Sequence, residues 1–283
     1  VISSEWLWDW NALAKIYDTL LARNPYDLTE ETGWMAKSWG TTTSYPGWEG
    51  KTVAEYELRT DLYFHDSTPG PDGIWCNADD VLHPVEPIDI VESLLMPKAA
   101  GPGVAWNYPA VMDIDHIQVS GQTIRVFFAV QSFWALHWAG FMPIFSEDVW
   151  TTALADPSIN AGYSGVIESP PGSGIYYPGT FTNAMKVRDY RPWEMNLYLP
   201  NGLDGIPNTG DEYNDLREDG SFMYVFDAYV PGQTITLHAF GKFYNELWDH
   251  SEGEWVRLPP SREIFVHASS QVLIQESTRI HFL

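Results

Sequence analysis

The sequence has few basic residues and almost no cysteine, and each shortage excludes a class of function. Lys and Arg together number 15 against 38 Asp and Glu, which gives a net charge of -23 over 283 residues. Such an acidic surface repels phosphate backbones and anionic membranes, so nucleic acid is not an expected partner. The one cysteine, Cys76, excludes an intrachain disulfide and a cysteine-based zinc cluster.

Two further absences concern export and catalysis. No apolar run reaches the length of a transmembrane helix, and the first residues, VISSEWLWDW, lack the basic start of a signal peptide. If the protein is exported, we expect this sequence to be its mature form or a fragment of it. The sequence contains no GxSxG, HExxH, P-loop or GxGxxG motif, so we expect no enzyme. A glycosidase pair among the many carboxylates is the weaker alternative, because the sequence does not give their separation.

Apolar residues are abundant, at 45% with 15% aromatic, so the chain can form a sizeable core as one or two domains. Its most informative stretch is residues 53–95. Ala54, Tyr56 and Leu58 alternate with Glu55 and Glu57, which predicts a half-buried strand. The polar turn FHDSTP follows at 64–69, and a short helix is predicted over 88–95, between two prolines.

The remaining periodicities predict a mixture of helices and strands. We expect a core-facing helix over 6–22, and a hairpin over 116–130 with its turn at Ser120-Gly121 and with Ile124, Val126, Phe128 and Val130 on one face. The apolar run 133–150 predicts a buried helix followed by a strand, with His137 as a core residue. Residues 221–282 read as mostly β. Trp6, Trp8 and Trp10 either stack on a ligand or lie buried in the core.

Two acidic loops share the pattern G-x-D-G-I followed by an acidic pair. Carboxylates and Asn side chains on a curled glycine loop are the oxygen ligands that calcium prefers. The alternative is a pair of solvated Asx turns, since neither loop fits the twelve-residue EF-hand. The candidate ligands of a structural calcium ion are Asp72, Asn77, Asp79 and Asp80 in the first loop and Asp204, Asn208, Asp211 and Glu212 in the second.

Five segments in the same order resemble the family-5 extracellular solute-binding proteins of ABC importers, the dipeptide and oligopeptide binders. The strand, FHDSTP loop and helix of residues 53–95 are similar to the family's strand, FHDGTP loop and AEDV helix. Residues 16–21, 33–39, 116–130 and 172–176 resemble the family segments that flank it, the last of them the GTGPY strand. Beyond Arg191 the resemblance fades, and members of the family are nearly twice as long.

The resemblance implies an α+β (mixed α/β) fold, a periplasmic-binding-protein-like class II lobe with a β-rich C-terminal part. By the same resemblance, residues 1–40 and 165–283 form the core subdomain of lobe I with the tail, residues 41–164 form its inserted subdomain, and the second lobe is absent or incomplete. The implied function is capture of oligopeptides or oligosaccharides outside the cell for delivery to an ABC permease. The alternative is a calcium-stabilised cell-surface protein that self-associates through its β-rich tail.

Overall fold

The structure is a computed structural model that describes residues 13–23, 31–68, 70–73, 78–155, 162–185, 220–230, 234–240, 246–249, 254–257, 264–267 and 274–275. Contacts divide the chain into two compact units. The first comprises Val1–Glu5, Asp18–Thr60 and Val85–Arg191, and the second Trp6–Tyr17, Asp61–Pro84 and Pro192–Leu283. The sequence-based division into 1–40 with 165–283 and 41–164 stays a prediction.

The first unit begins with a short antiparallel pair that precedes the main sheet. Strand β1 (Leu21–Arg23) pairs with β2 (Glu31–Gly33), with Leu21 opposite Gly33. The helix predicted over 6–22 is therefore wrong at its C-terminal end. Of its described residues, 13–22, only 13–16 are helical, and the chain is extended from Leu21. Apolar residues at helical spacing do not exclude a strand when backbone partners are available to it. Residues 1–12 lie outside the described part.

A six-stranded antiparallel sheet forms the centre of the first unit. Its strands are β3 (Ala36–Thr42), β4 (Val53–Leu58), β5 (Ile114–Ser120), β6 (Thr123–Phe128), β7 (Ile167–Glu168) and β8 (Ile175–Tyr177), in the order β3-β4-β6-β5-β8-β7. Tyr56 lies opposite Ile124, and Ile117 lies opposite Tyr176. Segments from 36 to 177 thus form one sheet, as the predicted common lobe requires.

The alternation in β4 is confirmed, since Ala54, Tyr56 and Leu58 are buried and Glu55 is exposed. The β5–β6 hairpin is confirmed too, with Gly121 at a φ of 60° in the turn between Ser120 and Thr123. The placement of Val130 with the buried face is wrong. Strand β6 ends at Phe128, and Val130 in the following loop is 41% exposed.

Helix α1 (Pro87–Ala100) is the predicted helix, but it is longer than expected because it continues through Pro97. Proline stands at its first position, where the absent N–H costs nothing. Asp89 accepts hydrogen bonds from the backbone N–H of Glu86 at 2.7 Å and of Glu147 at 2.8 Å. One buried carboxylate therefore satisfies donors at the start of α1 and at the start of a later helix.

The described part of the first unit also contains three shorter helices, namely α2 (Tyr108–Val111), α3 (Ala135–Gly140) and α4 (Glu147–Ala155). The prediction for 133–150 is corrected in two respects. The helix is not buried throughout, since Trp134 is 52% and Trp138 43% exposed. A helix rather than a strand follows it, and Ile144 contributes only an isolated bridge to Asp18.

The second unit contains the FHDSTP turn and the tail. The turn is confirmed, as the Ser67 N–H donates to the Phe64 carbonyl at 3.1 Å. The described residues of the tail are mostly β, as predicted, and residues 279–282 are among those that lie outside the described part. Its strands are β9 (Tyr224–Val230), β10 (Thr234–Ala239), β11 (Glu246–Asp249), β12 (Glu254–Arg257), β13 (Ile264–His267) and β14 (Ile274–Gln275), paired as a β14-β13-β10-β9 sheet and a β11-β12 ribbon.

None of the helices in the described ranges combines the length and the apolar character that crossing a membrane requires.

Candidate functional site

An open groove of about 600 Å³ lies in the first unit between β1, the segment around α2, and α3. Three tryptophans, Trp106, Trp134 and Trp138, line it, and each is between 42% and 52% exposed. Large aromatic side chains at this exposure leave part of the ring accessible to a ligand. The other lining residues are Arg23, Asn107, Pro109, Ala110, His137, Phe141 and Met142.

One wall of this groove is formed by residues that the sequence places on a single face of α3. Residues 134, 137, 138 and 141 recur at spacings of three and four, so they share one face of the helix. On its other side, α3 packs closely on β1, because a Cβ at Gly140 would lie 2.6 Å from the Leu21 side chain. A larger residue at position 140 would force the Leu21 side chain to move.

Tyr56 fixes α3 to the sheet. Its hydroxyl donates to the Leu136 carbonyl at 2.6 Å, and its side chain is fully buried. Burial, and to a lesser extent the charge of Glu31, raises the pKa of the Tyr56 phenol well above its usual value. The hydroxyl therefore keeps its proton and stays a donor to the helix that carries the tryptophans.

Three polar groups lie among the apolar walls. Asn107 is 3% exposed, and its Nδ2 donates to Met142 Sδ at 3.5 Å while its Oδ1 has no partner in the described part of the chain. His137 Nδ1 lies in contact with Glu31 Oε1. The Arg23 guanidinium lies 5.1 Å from the centroid of the Phe141 ring. The groove thus combines ring faces, a buried amide and a cation, which is the usual composition of a small-ligand site.

The predicted calcium ligands are only partly within the described residues. Asp72, Asp79 and Asp80 lie in the first acidic loop, whose ends are joined by the antiparallel bridge between Thr68 and Val81. Asn77, Asp204, Asn208, Asp211 and Glu212 lie outside the described residues. No group of three His, Cys, Asp or Glu side chains suited to a metal ion occurs in the described ranges. The calcium site stays a prediction.

Gly70 explains why the first loop is narrow at its base. Its φ is +68°, and a Cβ there would lie 2.3 Å from the Asp79 carbonyl oxygen. Any other residue would be strained in backbone conformation and would also clash with the returning chain. The backbone of Gly70 is therefore packed directly against that of Asp79.

His65 and Asp66 of the FHDSTP turn have separate partners. The ring of His65 is hydrogen-bonded through Nε2 to the Phe222 carbonyl at 2.8 Å. Asp66 contacts His83 Nδ1 at 2.9 Å. Trp6, Trp8 and Trp10, the other candidates for ligand stacking, lie outside the described residues.

Sequence reasoning does not identify the groove. Trp134, His137 and Trp138 belong to a strongly apolar run that predicts core, and Trp106 and Asn107 lie in a segment without regular periodicity. The available signal is the Gly-Pro-rich stretch 101–109, which ends α1 and keeps Trp106 away from the packed interior. A cluster drawn from β1, α2 and α3 is a tertiary feature that spacing along the chain does not show.

Comparisons with known proteins give structural matches only. No protein-family profile and no curated protein matches the chain. The ABC transporter-associated periplasmic binding protein DppA from Helicobacter pylori, in complex with the peptide STSA, matches at a TM-score of 0.52 and 15% identity, covering 95% of this chain and 40% of that one.

Two further solved structures match less well. NikZ from Campylobacter jejuni in complex with Ni(L-His) matches at a TM-score of 0.48 and 12% identity, covering 81% of this chain and 31% of that one. A dipeptide binding protein from Pseudoalteromonas sp. SM9913 in complex with Met-Leu matches at a TM-score of 0.47 and 14% identity, covering 91% of this chain and 38% of that one. The chain spans less than half the length of each. The Helicobacter pylori match shows that this chain has the mixed α/β fold of a periplasmic binding protein.

Proposed function

We propose that this chain is part of an extracellular solute-binding protein of an ABC importer, which captures oligopeptides or oligosaccharides without chemical change and delivers them to a permease. The observation that carries the proposal is the tryptophan-lined groove on a unit with a periplasmic-binding-protein fold. The Helicobacter pylori protein of this fold is in complex with a peptide, which makes oligopeptides the first solute class to test.

The groove has suitable dimensions and chemistry for capture. A volume of about 600 Å³ lies within the range of small-ligand pockets, roughly 300–1,000 Å³. Ring faces of tryptophan stack on apolar side chains, on peptide planes and on sugar rings alike. Both proposed solute classes are therefore compatible with the walls, and the polar groups must discriminate between them.

The alternative of a cell-surface assembly protein has a less specific basis. In the tail, the described strands pair with each other in one four-stranded sheet and one two-stranded ribbon. Self-association through the outer strands of that sheet stays a prediction. Analytical sedimentation tests this self-association directly, because a self-associating chain sediments as an oligomer whose population depends on concentration.

The proposed function is tested by calorimetric titration of the full-length protein with a panel of di- to pentapeptides and a panel of oligosaccharides. We expect saturable binding from one panel, with quenching or a shift of tryptophan fluorescence. Replacing both Trp134 and Trp138 by Ala should weaken that binding at least about tenfold, since each stacked ring contributes roughly 1 kcal/mol or more.

Trp48→Ala is the matched control, because Trp48 does not line the groove and packs on Phe127 instead. Its binding should equal that of the natural protein once thermal melts show that each variant is folded. A full-length protein that binds no member of either panel, or that sediments as an oligomer without binding, contradicts the proposed function.

A further inference from the structure

Residues 162–182 form a hairpin at one edge of the six-stranded sheet. Strands β7 and β8 are its arms near the turn, and β8 pairs with β5, where Tyr176 lies opposite Ile117. At the other end, which we call the base of the hairpin, a bridge joins Tyr163 and Phe181, whose rings stack with centroids 4.4 Å apart. The sheet therefore holds the half of the hairpin that is near its turn.

Glu92 attaches the base of the hairpin to α1. Its Oε2 accepts a hydrogen bond from the Tyr163 hydroxyl at 2.6 Å, and its Oε1 accepts one from the Val166 N–H at 3.1 Å. Gly165 has a φ of +74°, and a Cβ at this position would lie 3.8 Å from Glu92 Oε1. The backbone at 163–166 is thus wrapped around the carboxyl group, in a conformation that favours glycine.

The Glu92 carboxyl group lies in the interior, and no basic side chain in the described ranges compensates its negative charge. Two titratable groups face it from the elements around α1, the Tyr163 phenol from the hairpin and the Glu147 carboxyl group from α4. Lys98, in the last turn of α1, donates instead to two backbone carbonyls next to the start of β5. Ionised Glu92 would therefore be a buried charge facing another acidic group.

These surroundings determine how protonation affects the attachment. Burial raises the pKa of Glu92 to about 7, and the two hydrogen bonds from the hairpin only reduce that rise. If the base of the hairpin moves away from α1, water reaches the carboxylate and its pKa falls toward the ordinary value of 4.5. Protonation thus stabilises the closed base, and this stabilisation is complete below about pH 4.5 and is lost as pH rises through 7.

We propose that Glu92 makes the base of the hairpin a proton-controlled clasp. The base stays closed on α1 while this side chain is protonated, and it opens locally when the side chain ionises, whereas the pairing of β8 with β5 stays intact. The clasp is a property of the first unit alone and does not depend on the proposed function.

Amide hydrogen exchange of the full-length protein measures this opening. Protection at residues 163–168, corrected for the intrinsic pH dependence of exchange, should fall at least about tenfold between pH 5.5 and 8.5. Exchange at Val166 reports the opening directly, because its N–H is one of the two donors to Glu92. Protection in β4 and β6 should stay constant. Glu92→Gln cannot ionise, so this variant should keep the base protected at both pH values.

Glu168→Gln is the matched control, because Glu168 lies on the same hairpin and accepts a hydrogen bond from the Gly174 N–H near the turn, at 2.7 Å. It should keep the pH response of the base. Tyr163→Phe is a second, independent variant. The hydrogen bond from the Tyr163 hydroxyl lowers the pKa of Glu92, so removing it should move the loss of protection to lower pH.

The outcomes decide between a local clasp and a general effect of pH. Equal protection of residues 163–168 at both pH values overturns the clasp, and so does a fall that persists in Glu92→Gln. A parallel fall in β4 and β6 also overturns it, because it would show that the whole sheet is destabilised. If Glu92→Gln does not fold, the Tyr163→Phe variant decides, since a response that it leaves at the same pH overturns the clasp.

Discussion

Glu92 is a carboxylate in the interior, on α1, and only 1% of it is exposed. It accepts a hydrogen bond from the Tyr163 hydroxyl at 2.6 Å and another from the Val166 N–H at 3.1 Å. Burial raises the pKa of Glu92 to about 7, although these two hydrogen bonds oppose the rise, and the charge of Glu147 adds to it. The side chain therefore connects α1 to the segment 163–166 and titrates near neutrality.

The first prediction concerns this carboxyl. Because its pKa is higher in the folded chain than the ordinary value of 4.5, its stabilising effect is complete below about pH 4.5 and is lost as pH rises through 7. The shift corresponds to about 3 kcal/mol in the free energy of unfolding. Glu92→Gln imitates the protonated acid, so the variant should match the natural protein near pH 4 and be more stable at pH 8.

Urea unfolding at a series of pH values measures this difference. Burial also raises the pKa of Glu147, so part of the pH dependence should remain in the Glu92→Gln variant and the comparison must be between the two proteins. Glu57→Gln is the control, at a glutamate on β4 whose side chain is 46% accessible. A stability difference that stays constant from pH 5 to 8 would contradict a raised pKa at Glu92.

Individual residues are predictable where period two alone determines burial. Ala54, Tyr56 and Leu58 follow this rule, since a residue on a strand faces one side or the other. Glu92 and Asn107 are not predictable in this way. Their burial depends on Tyr163, 71 positions from Glu92, and on Met142, 35 positions from Asn107, and no local pattern reports such partners.

At the scale of elements, the contact between β4 and α3 determines where the groove wall lies. A hydrogen bond from the Tyr56 side chain on β4 to the backbone of α3 joins the two elements. The alternation in the sequence predicts β4 correctly. For α3 the sequence predicts a buried helix, whereas the structure leaves part of that helix exposed. An apolar stripe at helical spacing indicates one face that avoids water or binds a ligand, and the sequence does not distinguish the two.

The second prediction concerns this link. Tyr56→Phe removes the hydroxyl and leaves the Leu136 carbonyl without that donor, which should lower the free energy of unfolding by about 1–2 kcal/mol. Tyr45→Phe is the control, because the hydroxyl of Tyr45 is half-buried and lies 3.4 Å from Gln118 Oε1, too far for a strong hydrogen bond. Denaturant unfolding measures the free energy of unfolding of both variants. Equal decreases in the two would show that the hydrogen bond between β4 and α3 does not stabilise the fold more than the Tyr45 contact does.

At the scale of the whole molecule, the resemblance in five segments is sufficient to predict the fold class. The strand, turn and helix of residues 53–100 and the strand at 175–177 are found in the predicted order. The tail is predictable only as β-rich, because alternation identifies strands but does not give their partners. Its sheet order, β14-β13-β10-β9, places strands from distant parts of the tail side by side and depends on tertiary packing.

The last prediction separates general charge screening from calcium binding. With a net charge of -23, mutual repulsion among acidic side chains destabilises the folded chain, so NaCl should raise the melting temperature steadily. If Asp72, Asp79 and Asp80 help to bind calcium, about 1 mM CaCl2 added after chelator treatment should raise it further than MgCl2 or NaCl at the same ionic strength.

Paired variants assign that additional rise to the loop. Asp72→Asn together with Asp79→Asn should abolish the calcium-specific part and keep the NaCl response, because screening depends on total charge whereas coordination depends on particular oxygens. Asp113→Asn with Asp115→Asn removes the same charge elsewhere and should keep both responses. A melting temperature that depends only on ionic strength, and not on which cation supplies it, would leave the acidic loops as solvated turns.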